Sequence, residues 1–351
     1  MISIKVPARI CFYGDHQDYL GLPVIAGTIN RFIQLKAIPN TSNNFVIKLL
    51  DLKETIRITI ADACENVKNG DYFRSCIAIL REKDFVFERG YDIKISGNIP
   101  VNAGLSSSSA LVVAWIRFLV EIQQKPISVT DKEIGHLAYK AEVEYFGQPG
   151  GLMDQYTIAQ GGMLFINTST GNSSPLNAEL GTLIIAESGI AKQTIEVLND
   201  ARVYANKAIA LVKKRNPNFE LSSATLDDYK KYLTVVTDEF KNHWYAAIHN
   251  FNITKKAKLE LQKETPDITF LGNLMNQHQQ ILQEKIKNTP KKMIEMMDAA
   301  RNSGAYGTKI IGSGGGGCIL ALTDAYSKNK VVKAFIDSGA IDSYEVSLVK
   351  V

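Results

Sequence analysis

Between Ala110 and Val120 the sequence runs ALVVAWIRFLV, and wound as a helix this stretch is apolar on nearly every side. Such a helix has no face to offer water and must be enclosed by other elements. Arg117 interrupts it and it is too short to span a bilayer, so the enclosure is protein rather than lipid. The chain therefore needs sheet or helix packed around a central helix over Ala110–Ile122. At 351 residues it exceeds one small domain and fits two domains sharing a cleft. Hydrophobic residues at 45% and charged residues at 22% supply an ordinary core and surface.

Strand-forming residues fill Ile2–Tyr13, Pro23–Ala37 and Phe45–Leu50, and Ile56–Ile60 alternates with a period of two. Asp71–Arg81 predicts a helix and Tyr91–Ser96 a further strand. Ile134, Leu137, Ala138, Ala141 and Tyr145 recur at helical spacing. Gly147–Gly151 reads as a loop and Gly162–Ile166 as a strand. The polar stretch Asn167–Asn177 predicts a surface loop near a domain boundary. Helical patterns dominate from about Lys192 to Asn302, with breaks at Pro217 and Pro266. Strands are expected at Thr308–Ile311, Cys318–Leu322 and Ser343–Val351, and a helix at Ala325–Ser338. The pattern is that of an α+β protein. It divides near residue 180 into a mixed α/β N-terminal domain, 1–180, and a helix-rich α+β C-terminal domain, 181–351.

A net charge of +4 and a pI near 8.6 are spread along the chain, without the concentrated basic stripe a nucleic-acid binder shows. The four cysteines, Cys11, Cys64, Cys76 and Cys318, have no metal-binding spacing, and three lie in apolar runs. That points to a reducing compartment. No stretch has the layout of a signal peptide or the length of a membrane span. A cytoplasmic protein without nucleic-acid or membrane partners is expected. The sequence is silent on oligomeric state.

Three segments carry chemistry. In Gly104-Leu105-Ser106-Ser107-Ser108-Ser109 a glycine and four serines open the apolar helix. The first turn of a helix has unpaired N–H groups and the positive end of the dipole, which together suit a phosphate. Four serines are more than a cap requires, although capping and phosphate binding both remain open on this segment alone. It is not a Walker A loop, since no lysine follows Gly104 in the required place. Second, Gly312, Gly314 and Gly317 fit the dinucleotide expression GxGxxG. A helix should follow such glycines, whereas Cys318–Leu322 reads as a strand. The run of Gly312, Gly314, Gly315 and Gly316 instead suggests close approach of backbone to a neighbour. Third, Asp15, His16 and Asp18 follow a strand, and Asp154 stands in a glycine-bearing, otherwise apolar segment.

The order and spacing of these pieces resemble the GHMP kinases, with motifs at Pro7–Tyr19, Pro100–Ala110 and Lys309–Cys318 that span most of the chain. Pro7-Ala-Arg-Ile-Cys-Phe-Tyr-Gly-Asp-His-Gln-Asp-Tyr is similar to the galactokinase signature, PGR followed by an apolar run and GEHTDY. Ala141-Glu142 with Gly147-Gln-Pro-Gly-Gly-Leu-Met-Asp-Gln resembles that branch's AE and GMPCGIMDQ.

The resemblance implies a two-domain GHMP fold and ATP-dependent phosphorylation of a small sugar, at the anomeric hydroxyl of a galactose-like hexose. It implies Asp154 as the catalytic carboxylate with Arg9 as its positive partner. Gly104 to Ser109 would hold the phosphates of ATP. Ser108 and Glu142 would hold Mg²⁺, and Asp15, His16, Asp18 and Gly151 would face the sugar. Helical periodicity places both Glu142 and Glu144 at edges of the apolar stripe, and the resemblance selects Glu142. Asp15 stands where the signature has glutamate and Gln17 where it has threonine. Asn199 falls near the position of a sugar-site tyrosine. The shorter Asp15 predicts looser discrimination at the sugar's C6. The rivals are a GHMP kinase for another sugar or a mevalonate-like alcohol, and a catalytically silent sugar sensor. The sensor is disfavoured because the serines, Glu142 and Asp154 are all present.

Overall fold

The computed structural model describes residues 1–62, 64–100, 103–192 and 194–350, with the backbone alone over 194–198. Two sheets organise it. Alternating β-branched and aromatic residues form β1 (Ile2–Tyr13), β2 (Val24–Pro39), β3 (Asn44–Leu49), β4 (Glu54–Thr59) and β5 (Tyr91–Gly97). With β6 (Met163–Asn167) and β7 (Asn172–Pro175) they make one seven-stranded sheet. β2 is its spine. One half of β2 pairs with β5 and the other with β6, and β1 lies antiparallel along most of its length. Among the described residues only β3 and β5 run parallel. The second sheet is antiparallel, in the order β11 (Asp342–Val346), β8 (Thr182–Glu187), β10 (Cys318–Thr323) and β9 (Gly307–Ile310).

The helices of the first half are α1 (Tyr72–Arg81), α2 (Ser107–Glu121), α3 (Asp131–Tyr139) and α4 (Met153–Gln160). α2 is the enclosed helix that the sequence demands. Val112, Val113, Trp115, Ile116, Phe118 and Leu119 are all buried. Each large apolar side chain removed from water in this way contributes about 1.5–3 kcal/mol. The Trp115 indole N–H is not stranded by burial, because it donates to the Phe73 carbonyl at 3.1 Å.

The second half carries α5 (Thr194–Arg215), α6 (Leu226–Tyr232), α7 (Asp238–Leu261), α8 (Ile268–Ile281), α9 (Lys291–Asn302) and α10 (Lys328–Asp337). Pro217 and Pro266 fall between helices, where a ring without an N–H is tolerated.

Three features differ from the sequence reading. Asn167–Asn177 is not a plain loop, because its second half returns as β7 beside β6. β8 and α4 stand where no element was expected. After β11 the chain leaves the second sheet and lies along β2, with Val349 N–H donating to Thr28 O and Asn30 N–H to Ser347 O. The C-terminal end thus ties the second sheet to the first. Among the described residues no helix is long and apolar enough to cross a membrane.

Candidate active site

A cavity of about 500 Å³ opens between the two sheets. Arg9 reaches it from β1. Its Nε and Nη2 each donate to Asp154 at 2.7 Å, and Nη1 donates to Gly104 O at 2.7 Å. Asp154 stands in the first turn of α4, where the helix dipole favours a carboxylate. Burial alone would raise its pKa, but the Arg9 fork and the Ser106 hydroxyl outweigh that and hold it below the usual carboxylate range. Asp154 is therefore ionised, aimed at the cavity and a quarter exposed.

Ser106 occupies the N-cap position of α2 in a left-handed conformation, φ 58°, yet does not cap the helix. Its Oγ donates to Asp154 instead, at 2.5 Å. The first-turn N–H groups of α2 consequently face the cavity without a side-chain acceptor, which is the arrangement that receives anions. Ser107, Ser108 and Ser109 line the same cavity. Leu105 does not, because its side chain is wholly buried in the core. Gly104 packs so tightly that a Cβ would lie 2.7 Å from Ile311 O. The preceding Val101 and Asn102 lie outside the described residues.

Glu142 sits in a π turn, Lys140–Glu144, that continues α3. The wider turn shifts the helix register, burying Glu142 and leaving Glu144 exposed. Burial raises the Glu142 pKa. Hydrogen bonds from Gln155, Ser108 and Ser109 offset part of that rise, the Gln155 bond measuring 2.6 Å. Among the described residues no cationic side chain pairs with Glu142. A buried carboxylate without a cation, beside an exposed serine hydroxyl, fits a hard divalent ion that takes its remaining oxygens from elsewhere. No cluster of three metal-ligating side chains occurs among the described residues, so protein groups alone would not enclose such an ion.

All four residues expected to face a sugar, Asp15, His16, Asp18 and Gly151, line the cavity, and Asp15 and His16 are also engaged by neighbours. Asp18 accepts from Tyr19 N–H at 3.0 Å and rests against Gly151, where a Cβ would lie 2.4 Å from the carboxylate. Burial, with the nearby Asp154 charge, pushes the Asp18 pKa up to about 7. Asp15, in the same lining, is also held from within the protein. One oxygen accepts from Lys309 Nζ at 2.6 Å and the other from Gly312 N–H at 3.0 Å, and the pair is almost wholly buried. Burial would raise the Asp15 pKa, but Lys309 brings it below the usual range. Both His16 ring nitrogens also have partners, the Tyr19 hydroxyl and Ser313 O, each at 3.0 Å.

Gly312 and Ser313 line the cavity, whereas Gly314, Gly315 and Gly316 do not. Asn199 is exposed on α5 and is not part of the lining. Sequence reasoning missed Lys192, which follows the unpredicted β8. A Cβ on Gly312 would lie 3.1 Å from its Nζ and 3.6 Å from Arg9 Nη2. Burial, with the Arg9 charge, lowers the Lys192 pKa to about 8. Its signal in the sequence is faint, a single lysine in a small-residue turn.

Family models match two parts of the chain, the GHMP kinases N terminal domain at residues 71–162 and the GHMP kinases C terminal at 259–341. Mevalonate kinase of Pyrococcus horikoshii is 27% identical over 331 residues, 92% of this chain and 88% of the relative. Galactokinase of Clostridium perfringens is 24% identical over 347 residues, 93% and 87%. Among solved structures, Lactococcus lactis galactokinase complexed with galactose has a TM-score of 0.86 at 20% identity, covering 99% of this chain and 93% of that one. Methanococcus jannaschii mevalonate kinase has a TM-score of 0.74 at 19% identity, covering 99% and 98%. With both family domains in order on one polypeptide, and with the fold shared along its whole length, the chain belongs to the GHMP kinases, phosphotransferases whose phosphate donor is ATP.

Proposed function

We propose that this chain transfers the terminal phosphoryl group of ATP to the anomeric hydroxyl of a galactose-like hexose. The observation that carries the reading is the serine that declines to cap α2. Ser106 bonds to Asp154 and so puts an uncapped helix N-terminus and an ionised acid on one cavity wall. The helix N-terminus and the hydroxyls of Ser106 to Ser109 bind and orient the phosphates. The sugar oxygen forms the new bond to phosphorus, the bond from phosphorus to the bridging oxygen breaks, and ADP leaves. Asp154 accepts the proton of the attacking hydroxyl. Its lowered pKa makes it a weak base, which suits a loose transition state that asks mainly for alignment and charge balance. Arg9 keeps it ionised, and Lys192, close to Arg9 and Gly312, adds positive charge beside the moving group. Ser108 and Glu142 would hold Mg²⁺, which when bound neutralises charge on the phosphate oxygens. Asp18 and the backbone at Gly151 face the sugar. In this reading the two domains divide near residue 180, between β7 and β8.

The galactose-like substrate is supported by the Gly14–Tyr19 turn and by the TM-score of 0.86 to a galactose-bound galactokinase. Both Asp15 oxygens already accept from Lys309 and Gly312 N–H, so its hold on C6 is weakened although it lines the cavity, and broad tolerance there is expected for that reason as well as for a shorter reach. A second reading, a mevalonate-like alcohol, is favoured by the Pyrococcus horikoshii relative and by Lys192, whose ammonium could hold a substrate carboxylate. ATP consumption with galactose, its 6-deoxy analogue, its uronic acid and mevalonate decides. Turnover of the hexoses with little discrimination at C6 is the expected result. Turnover of mevalonate alone would replace the first reading by the second.

A further inference from the structure

The glycine loop 312–317 is held in place by a residue outside every motif, Asn288. We propose that Asn288 is a positioning residue for nucleotide binding, and that Asp15 and His16, which line the cavity, also belong to the same latch. The proposal rests on the kinase reading above and changes the part that the acid–imidazole turn plays in it.

Asn288 follows Lys287, whose left-handed backbone, φ 61°, ends the π turn Leu282–Ile286 after α8. It is 2% exposed. Its main-chain oxygen accepts from Gly315 N–H at 2.6 Å, and its Nδ2 donates to Ser313 O at 3.0 Å. A Cβ on Gly314 would lie 2.6–2.8 Å from three Asn288 atoms. The middle of the loop, residues 313–315, is moulded on Asn288, and Gly314, at φ 81°, gives it room to be so, while Gly316 and Gly317 rest on residues 188–191.

His16 reaches the same carbonyl from beside Asn288. Ser313 O can only accept, so His16 Nε2 carries the proton and donates to it, and Nδ1 accepts from the Tyr19 hydroxyl. Asn288 Nδ2 also lies 3.0 Å from His16 Nε2, but two donors do not bond each other, and both converge on Ser313 O. Asp15 completes the set by accepting from Gly312 N–H. Loop residues 312, 313 and 315 are thus each tied from below. Above, the same segment meets the phosphate loop, with Cys318 N–H donating to Ala103 O at 2.8 Å and Ile311 O packed on Gly104. A shift of the glycine loop therefore moves the phosphate-binding turn before it moves Asp18 or Gly151.

The test is Asn288→Ala, with a non-hydrolysable ATP analogue and magnesium titrated by calorimetry in the absence of sugar. Loss of one of the two donors to a buried carbonyl should weaken the analogue by about tenfold. Binding of galactose alone should stay within about twofold, and turnover should show a raised KM for ATP with kcat/KM for galactose at saturating ATP little changed. Asn288→Asp keeps the size, removes the Nδ2 donor, and should show the same nucleotide-selective loss. Wild-type affinity for the analogue in either folded variant overturns the proposal, as does an equal loss of galactose and nucleotide. If neither variant folds, Asn288 serves stability and the proposal fails. If no hexose binds the wild type, the substrate reading fails while the nucleotide arm still decides the latch. A wild type that binds no nucleotide overturns both.

Discussion

Asp18 and Lys192 face each other's chemistry from opposite ends of the titration range. Burial and the Asp154 charge raise Asp18 to about 7, so it gains its charge only as pH rises through neutrality. Burial and Arg9 lower Lys192 to about 8, so it loses its charge soon after. If Asp18 must be ionised to accept from a sugar hydroxyl and Lys192 protonated to balance phosphate, kcat/KM follows a narrow bell with limbs near those values. Lys192→Arg, with a side chain that stays charged, should abolish the alkaline limb, and a limb that persists would assign it to another group. Stability gives an independent reading. The folded-state pKa of Asp18 lies above its ordinary value, so ionising it costs the native state as pH rises through about 7. Asp18→Asn should therefore melt higher than wild type at pH 8, lose that gain near pH 4, and be less active throughout. Asp154→Asn removes the base but keeps the shape. Turnover should fall by roughly 10²-fold or more while calorimetry still detects nucleotide and sugar.

Whole elements aim these groups. The π turn at Lys140–Glu144 inserts into what periodicity reads as one straight helix, and that local widening buries Glu142. α4 is short and begins immediately after the glycine loop 147–151, so Asp154 lies in its first turn and Gly151 stands against Asp18. Gly151→Ala tests this packing. Its Cβ would meet the Asp18 carboxylate at 2.4 Å and push it out of place. A displacement of that order should lower kcat/KM for the sugar on the order of 10²-fold, with affinity for an ATP analogue unchanged in calorimetry. Equal losses for both ligands would mean that α4 itself had moved.

Across the molecule, the Asp15–Lys309 pair fastens the end of β1 to β9, one in each sheet, through a contact with almost no solvent. Lys309 Nζ also donates to Cys11 O at 3.1 Å and Ile310 O at 2.7 Å, so its charge is fully solvated by protein. Lys309→Met would leave Asp15 buried without a cation, which costs about 3–5 kcal/mol. Urea unfolding should show that loss, and the double variant Asp15→Asn with Lys309→Met should recover most of it. A loss in the double variant as large as in the single would mean that the lysine's packing, not its charge, holds the sheets.

By itself the sequence determined the enclosed helix α2, most strands of the first sheet and the break between Gly317 and Cys318, because each depends on local periodicity or on backbone freedom at glycine. The resemblance to the GHMP kinases, not local pattern, picked out Arg9, Asp154, Glu142 and the serine run together, and they line one cavity. β8 escaped because Thr182–Glu187 is short and apolar without alternation, and β7 because its Asn and Ser residues become a strand only beside β6. The second use of Asp15 and His16 could not be read at all. Both line the cavity, and β9 and the glycine loop, about 300 residues later, also bring Lys309, Gly312 and Ser313 against them. Asn288 and Lys192 likewise acquire their meaning from what folding sets beside them, since a single polar side chain carries no period, and only tertiary structure decides which charges it will meet.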